Sequence, residues 1–563
     1  MTRYLITSAL PYINGVKHLG NLVGSMLPAD VYARYLRRRG RPVLYLCATD
    51  EHGTPAELAA SEEGIPVGGY CKRQYDLQKA IYKRFDLSFD YFGRTSSVQN
   101  HRTTQHIYRS LRDRGYIDRR KMKQLYSPSD GRFLPDRYVL GICPKCGDEQ
   151  ARGDQCDACL SLLEPTDLIK PRSAVSGSCD LEVRETEHLY LKLSSFESSL
   201  RKWVNKNSTW PLLTRSVALK WLNEGLRARC ITRDLQWGVP VPEEDMANKV
   251  FYVWFDAPIG YISAAQEWAE SIGEPEAWRS WWENSTDVHY AQFMAKDNLP
   301  FHTVFFPAML MGTGESWKQP DMIKAFNWLT YEGGKFSTRW NRGVFLDKAI
   351  DLFPSDYWRW MLLASAPESS DSSFTWNEFQ SKVNKDLNDR LGNQVLRVLK
   401  LCAKQFGTIV PEGGVFGSEE IELEAKMGKL LTQIEQHYET LEFRYLTQKV
   451  AELWSLGNNY FDRCAPWKKE LKSERRAVVL RTSINVLRLC ALVAEPIIPK
   501  ASRMIWDCLG EAGEPVDVWG EQKWIQAIPP GKMFKVPESL FQKVSASEVT
   551  ELTSRFAGSS ELN

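Results

Sequence analysis

The chain has 563 residues, of which 43% are apolar, 25% charged and 12% aromatic, and its net charge is +2. At roughly 100–200 residues per domain this makes about three to five folding units with sizeable cores, and the composition excludes a disordered or collagen-like chain. So small a net charge also excludes binding of a polyanion by bulk charge; such a partner must be met by local patches.

Residues 3–10 read as a buried strand closed by Pro11 and the turn pair Asn14-Gly15. The pattern is helical from Leu22 to Arg39 and is stopped by Gly40-Arg41-Pro42. A second apolar run, 43–48, leads into Thr49-Asp50-Glu51-His52-Gly53. Strand, helix and strand with polar residues after each strand form a βαβ unit of a parallel sheet. Such sheets place ligands beyond the carboxyl ends of their strands, where Tyr12, His18, Asn21 and Asp50 fall. The strand rhythm lapses between about 116 and 230, then resumes with strand-like runs at 250–256, 288–294 and 303–311. A sheet interrupted by an insertion accounts for this. Beyond about 385 the patterns are long and helical: Leu387, Leu391, Val395 and Val398 recur at helical spacing, as do Leu480, Ile484, Leu487 and Ala491. Residues 545–563 are polar and are expected to form a loose or singly docked tail.

The N-terminus enters a strand at once, with no separate apolar targeting segment. No run reaches the ~20 apolar residues of a membrane span; Leu489 to Ile498 is short and broken by Glu495 and Pro496. A soluble, reducing, cytoplasmic setting with no membrane partner is the expectation.

Three local patterns carry chemistry. The first is Pro11 to Asn21, which joins a strand to a helix start, where free N–H groups and the positive dipole end suit phosphate. Gly20 permits close approach of a nucleotide, and His18 and Asn21 supply side-chain donors; an ordinary polar turn would read the same way. The second is Tyr331 to Arg339, with Arg342 beyond it. A Gly-Gly hinge, Lys335 and the hydroxyls of Ser337 and Thr338 make a mobile basic loop, which a solvated basic turn would also resemble. It is not a P-loop, because Leu329 stands where the first glycine is required and Phe336 follows Lys335. The third is Cys143-x2-Cys146-x9-Cys156-x2-Cys159. Two such knuckles can close a tetrahedral thiolate site around one zinc ion, structural because protein fills all four positions. A redox pair is the rival reading, and the paired knuckles favour metal. The other eight of the twelve cysteines show no ligand spacing.

The first two patterns together resemble the signatures of class I aminoacyl-tRNA synthetases, here His18-Leu19-Gly20-Asn21 and Lys335-Phe336-Ser337-Thr338-Arg339. The strings 9–21, 47–55, 133–139, 250–261 and 295–302 narrow the resemblance to the methionyl-tRNA synthetase family, over nearly the whole chain to about 545. The resemblance implies an α/β Rossmann-type catalytic domain split by a zinc-knuckle insertion and followed by an α-helical anticodon-binding bundle. The expected division is 1–115 and 231–328 for the catalytic halves, 116–230 for the insertion with its knuckle at 143–159, 329–385 for a linking segment with the basic loop, 386–545 for the bundle and 546–563 for the tail. It implies a methionine–tRNA ligase acting on ATP, methionine and tRNA(Met), with Mg2+ accompanying ATP.

By position, the resemblance assigns His18, Asn21, Lys335 and Arg339 to catalysis. ATP would meet Tyr12, His18, Gly20, Asn21, Lys296, Asp297, Lys335, Ser337 and Thr338. Methionine would meet Leu10, Tyr12, Asp50, Trp254, Ala257, Pro258, Tyr261 and His302, an apolar slot with aromatic walls suited to a thioether and a carboxylate for the ammonium. Two signature positions depart from the family. Asn21 replaces a histidine, and an amide still donates to phosphate. Thr338 and Arg339 replace Lys and Ser, so charge on the leaving pyrophosphate falls to Lys335 with Arg339 or Arg342. Phe306 stands where a tryptophan is frequent.

In the helical third, Asn393 and Arg397 are four apart and point away from the core. With Trp467 as a stacking platform they match the family's CAU-anticodon readers; a solvated helix face is the alternative. Basic clusters at Arg34–Arg41 and Arg119–Lys123 are further candidates for phosphate contact. With no dimerising segment after 545, a monomer is expected. Two other functions stay open: a class I synthetase for another small apolar amino acid, and a non-catalytic tRNA-binding paralogue.

Overall fold

The computed structural model describes residues 2–153, 156, 159, 161, 163–338, 340–514 and 524–559. Five strands form the central sheet: β1 (Arg3–Ser8), β2 (Val43–Thr49), β3 (Tyr91–Arg94), β4 (Val288–Ala295) and β5 (Met322–Phe326). All pair in parallel in the order β5-β4-β1-β2-β3, with Leu5 opposite both Leu44 and Tyr290. The order reverses between β1 and β4, so a crevice opens at their carboxyl ends. β1 and β2 read as continuous apolar runs because both faces are covered.

The run at 303–311, expected as a strand, is helical: a π-turn over Phe301–Phe305 continues into a helix over Phe306–Thr313. A helix buried on every side shows no polar face, so its sequence imitates a central strand. Pro307, which has no N–H to donate, falls where the π-turn gives way to the α-helical part. Of the run 250–256 only Val250–Phe251 is a strand, and Val253–Asp256 is a helical turn.

The insertion carries a long antiparallel pair, Ile117–Ser127 with Glu182–Leu191, and a small sheet of Val139–Ile142, Ala151–Arg152 and Ile169–Ser173 that bears the knuckles. Glu57, in the helix that follows β2, anchors this unit. It accepts from Tyr138 and Arg132 of the insertion and from the N–H of Trp237.

Helix α1 (Leu27–Arg38) covers one sheet face and α2 (Gly260–Ser271) the other. The bundle contains α3 (Asn393–Phe406), reached through a π-helical stretch Val383–Gly392, α4 (Phe443–Cys464) and α5 (Ser473–Ala494). The eight apolar positions chosen by periodicity in this region are all buried. α5 is long and apolar enough to cross a membrane by composition, but 94% of that window is buried within the protein, as befits the centre of a bundle. One apolar cluster runs from α1 into the bundle. At the seam Tyr35 stacks on Tyr438, ring centroids 4.3 Å apart, and donates to Glu439. Asp30 and Arg359 form a fully buried ion pair at 2.7 Å. Burial alone would raise the Asp30 carboxyl, but Arg34, Arg359 and Ser88 hold it at about 2.

Most cations of the two basic clusters are engaged in ion pairs. Arg34 and Arg38 pair with Glu495, Arg37 with Asp90 and Arg39 with Glu435. Arg119, Arg120 and Lys121 pair with Asp245, Asp118 and Glu185. Of the two forms expected of the C-terminal tail, the docked one is found: Ala546–Arg555 is a helix, α6, capped by Ser545, and Val549, Leu552 and Phe556 are buried. Three apolar residues at helical spacing suffice to dock it, with Phe556 6.0 Å from Trp376.

Candidate active site

The chain after β1 and the chain after β2 stay paired beyond the sheet, through Ile13 N–H to Asp50 O and Asp50 N–H to Pro11 O, both 2.9 Å. This places Tyr12 beside Asp50 at the switch point. Lys296 and Asp297 follow β4 on the other side. Leu10 and Tyr12 thus follow β1, Asp50 follows β2, and Lys296 and Asp297 follow β4, all at the carboxyl edge of the sheet.

His18 caps the helix that begins at Leu19. Its Nδ1 accepts the Gly20 N–H at 3.1 Å, and its own N–H donates to Asn21 Oδ1 at 3.1 Å. Burial and then Lys17 lower the imidazole to about 4, so at neutral pH it is uncharged. With Nδ1 accepting, the proton sits on Nε2, which is left as a donor. The cap likewise occupies the Asn21 carbonyl and leaves its NH2 group to donate. Gly20 has a structural reason as well as access: an added Cβ would lie 2.9 Å from His18 Cε1 and 3.3 Å from Leu329 O.

The basic loop is joined to this motif by aromatic stacking. Phe336 lies flat on His18, centroids 4.3 Å apart and 2° from parallel, so Lys335 and Ser337 flank the same corner. Two reciprocal main-chain pairs, Tyr331 with Gly334 and Ser337 with Arg342, tighten the loop, and Gly333 takes φ +76° where a side chain would strain. Lys335 is exposed. Arg339 lies outside the described residues. Arg342, a candidate to replace the missing lysine, is committed elsewhere: its guanidinium donates to the carbonyls of Tyr331, Glu332 and Ala557.

The expected methionine pocket is assembled from β1, β2, α2 and the helix at 301–313. Leu10 packs on Gly260, where a Cβ would come within 2.8 Å of it. His302 donates from Nδ1 to Asn298 O at 2.9 Å, so its Nε2 accepts the Tyr261 hydroxyl at 2.8 Å. Burial lowers His302 to about 4; this wall is neutral, as a thioether requires. Phe306 stands edge-on to Tyr261, Pro258 is buried and Ala257 half-buried, and Trp254, 37% exposed, packs on Phe301 at the rim. Asp50 is 5% exposed and its Oδ1 has no hydrogen-bond partner. Burial, then Asp256 and Glu51, push its carboxyl well above the usual range. An apolar slot with one unsatisfied buried carboxylate is built for a cation with an apolar tail.

At the nucleotide position Lys296 donates to Asp371 at 2.7 Å and lies 4.2 Å over the Trp328 ring, whose N–H donates to Asp297 at 3.3 Å. In the insertion, the Sγ atoms of Cys143 and Cys159 are 3.8 Å apart and those of Cys146 and Cys156 3.6 Å, and all four lie within 4.8 Å of one another. Zn–S bonds of ~2.3 Å in a tetrahedron require edges of about 3.8 Å, so the set fits zinc, while disulfide bonds of about 2.05 Å do not fit. The Lys145 N–H donates to Cys143 Sγ, a turn that steadies a thiolate.

On the bundle, Arg397 pairs with Asp462 and lies 5.7 Å over Trp467, itself 46% exposed. Asn393, one turn away, donates to Asp389. The fold thus gathers these three on one exposed face.

The sequence pattern of the family described as tRNA synthetases class I (M) matches residues 4–399, and that of the anticodon binding domain of methionyl tRNA ligase matches 410–561. The chain belongs to this family. It is 54% identical over 558 residues to methionine–tRNA ligase 1 of Acaryochloris marina, covering 99% of this chain and 100% of that one. It is also 54% identical over 576 residues to the methionine–tRNA ligase of Streptomyces avermitilis, with full coverage of both. Its structure is similar, with TM-score 0.78 at 25% identity over 96% of this chain and 100% of the other, to Mycobacterium tuberculosis methionyl-tRNA synthetase in complex with methionyl-adenylate.

Sequence reasoning missed several residues that shape this synthetase site. His52 and Asp256 form a buried pair at 2.6 Å behind Asp50, and Glu51 is held by two bonds from Arg94. Trp328 and Asp371 were equally hidden, and Phe336, though part of the second signature, gave no sign of its stacking on His18. His52 and Glu51 sit in a string already singled out, and their adjacency to Asp50 was the available signal. Nothing local distinguishes Asp371 or Trp328.

Proposed function

We infer that the chain is a methionine–tRNA ligase. The observation that carries this is the meeting, at one switch-point crevice, of a neutral aromatic slot ending in an unsatisfied Asp50 with a helix start whose His18 is stacked on the basic loop. Asp50 takes the methionine ammonium, and Tyr261, His302, Leu10, Ala257, Pro258 and Trp254 enclose the thioether chain. A methionine carboxylate oxygen attacks the α-phosphorus of ATP, the bond to the β-phosphate oxygen breaks, and pyrophosphate leaves. His18 Nε2–H, the Asn21 amide and Lys335 donate to the oxygens on which charge builds, worth about 3 kcal/mol for a well-placed donor; Arg339 is assigned the same task. Gly20, Tyr12, Ser337 and Thr338 border the phosphates, and Lys296 and Asp297 border the ribose. Mg2+ bound to ATP supplies further charge neutralisation. A hydroxyl of the terminal adenosine of tRNA(Met) then attacks the adenylate carbonyl and AMP departs. Positioning, not covalent catalysis, is the protein's contribution. Asn393, Arg397 and Trp467 read the CAU anticodon, and the four cysteines hold a structural zinc ion.

Amino-acid-dependent ATP–pyrophosphate exchange tests this directly. Methionine should drive exchange. Exchange with leucine or cysteine and not with methionine would overturn it, and retained tRNA binding with no exchange for any amino acid would favour a non-catalytic paralogue.

A further inference from the structure

The seam between the helical stretch 376–406 and α4 does not end at the anticodon face. Arg397 and Asp462 join its walls at one end, and about two turns along Asn458 donates to Arg390 O at 2.8 Å. Beyond that bond the walls part into a cleft of about 750 Å3. The parting coincides with the π-helical stretch Val383–Gly392, whose wider turn displaces side chains from the ordinary helical rows. Lys382 and Lys385 stand on one wall and Arg444 on the other.

The charges in this cleft are unequal in their partners. Glu368 is taken by Lys324 at 2.8 Å, Asp386 by Arg390 at 2.7 Å and Glu452 by Lys449 at 2.8 Å. Among the described residues Lys382, Lys385 and Arg444 enter no ion pair, unlike the clusters on α1 and in the insertion. Lys385 and Arg444 are exposed and Lys382 is half-buried, so three cations without carboxylate partners line one concave surface and give it an outward positive field. Tyr445, 57% exposed beside Arg444 and stacked on His437 with centroids 5.6 Å apart, adds an aromatic edge against which a ribose or base can rest. At its far end the cleft reaches Glu368, three residues before Asp371, the partner of Lys296 in the nucleotide site. Fifteen residues from Lys382 to Arg397 span about 22 Å of helix.

We propose that this cleft is a backbone-binding groove for RNA, which holds the phosphates of the tRNA strand between the anticodon face and the catalytic crevice through Lys382, Lys385 and Arg444. The inference rests on the ligase reading and adds to it the path by which one RNA engages both ends. Phosphate contacts position without reading sequence.

The test uses the full chain with Lys382→Ala, Lys385→Ala and Arg444→Ala combined, beside Lys385→Arg alone. Aminoacylation gives the tRNA KM across a salt series, and methionine-dependent ATP–pyrophosphate exchange gives adenylate formation. The triple variant should raise the tRNA KM roughly ten- to forty-fold near physiological salt and reduce the slope of log KM against log salt by about 2–3. Exchange should stay within twofold of the parent, and Lys385→Arg should retain the parent's tRNA KM. A tRNA KM and salt slope within twofold of the parent would overturn the groove, as would a parallel fall in exchange. Absence of exchange in the parent protein would instead overturn the ligase reading, so the two failures are distinguishable.

Discussion

Replacing Asp50 by Asn separates ligand binding from stability with opposite signs. The carboxylate is 5% exposed and one oxygen has no partner, so in the complex it meets the methionine ammonium away from water. At ~3 Å and an effective dielectric of about 20, the attraction is about 5 kcal/mol. The amide dipole of Asn recovers part of this, leaving a loss of about 2–5 kcal/mol, the range for breaking a buried charge pair. That predicts a roughly thirty-fold to several-thousand-fold fall in kcat/KM for methionine in ATP–pyrophosphate exchange. Without methionine the sign reverses. Burial, Asp256 and Glu51 raise the folded-state pKa of Asp50, so between its unfolded value and that raised value the folded protein binds more protons and stability falls as pH rises. Asp50→Asn should therefore raise the thermal midpoint of the ligand-free protein at pH 7–8, with the gain vanishing towards pH 4. By the same linkage, methionine binding should release a proton, and affinity should rise with pH through the free-state pKa. Methionine activation within threefold of the parent, or a ligand-free variant less stable at pH 8, would refute this account of Asp50.

Gly20→Ala puts a methyl 2.9 Å from His18 Cε1 and should displace that ring from Phe336; exchange kcat should drop by about tenfold or more with methionine KM little changed. Tyr261→Phe leaves buried His302 Nε2 without its donor, so methionine kcat/KM should fall by about 1–3 kcal/mol equivalent, while a parent-like value would mean the pair is not part of the pocket. Metal analysis should find one zinc per chain, and Cys143→Ser should lower that stoichiometry and raise protease sensitivity in 139–173. Trp467→Ala should raise the tRNA KM by the equivalent of about 1–3 kcal/mol and leave ATP–pyrophosphate exchange unchanged.

Patterns set by neighbours along the chain were legible in the sequence. The opening βαβ unit, the glycine-bearing helix start, the two CxxC knuckles and the periodicity of the bundle each arise from a single local segment, and local backbone geometry decides them. The run at 303–311 reads as a strand because a helix enclosed on all sides has no polar stripe, and β5 is not singled out because it carries Lys324 in mid-strand, a charge that Glu368 pairs with. Tertiary structure alone decided which charges are spent and which are free. Arg34, Arg37, Arg38 and Arg39 on one side and Lys382, Lys385 and Arg444 on the other are all plain cations by sequence, yet carboxylates pair with the first set and, among the described residues, none pairs with the second. The same holds for Phe336 on His18, His52 on Asp256 and Lys296 on Asp371, pairs separated by 75 to 318 residues. Spacing along the chain specifies what chemistry a residue can perform; the field and the partners around it, which depend on segments far away in sequence, specify whether it is available to perform it.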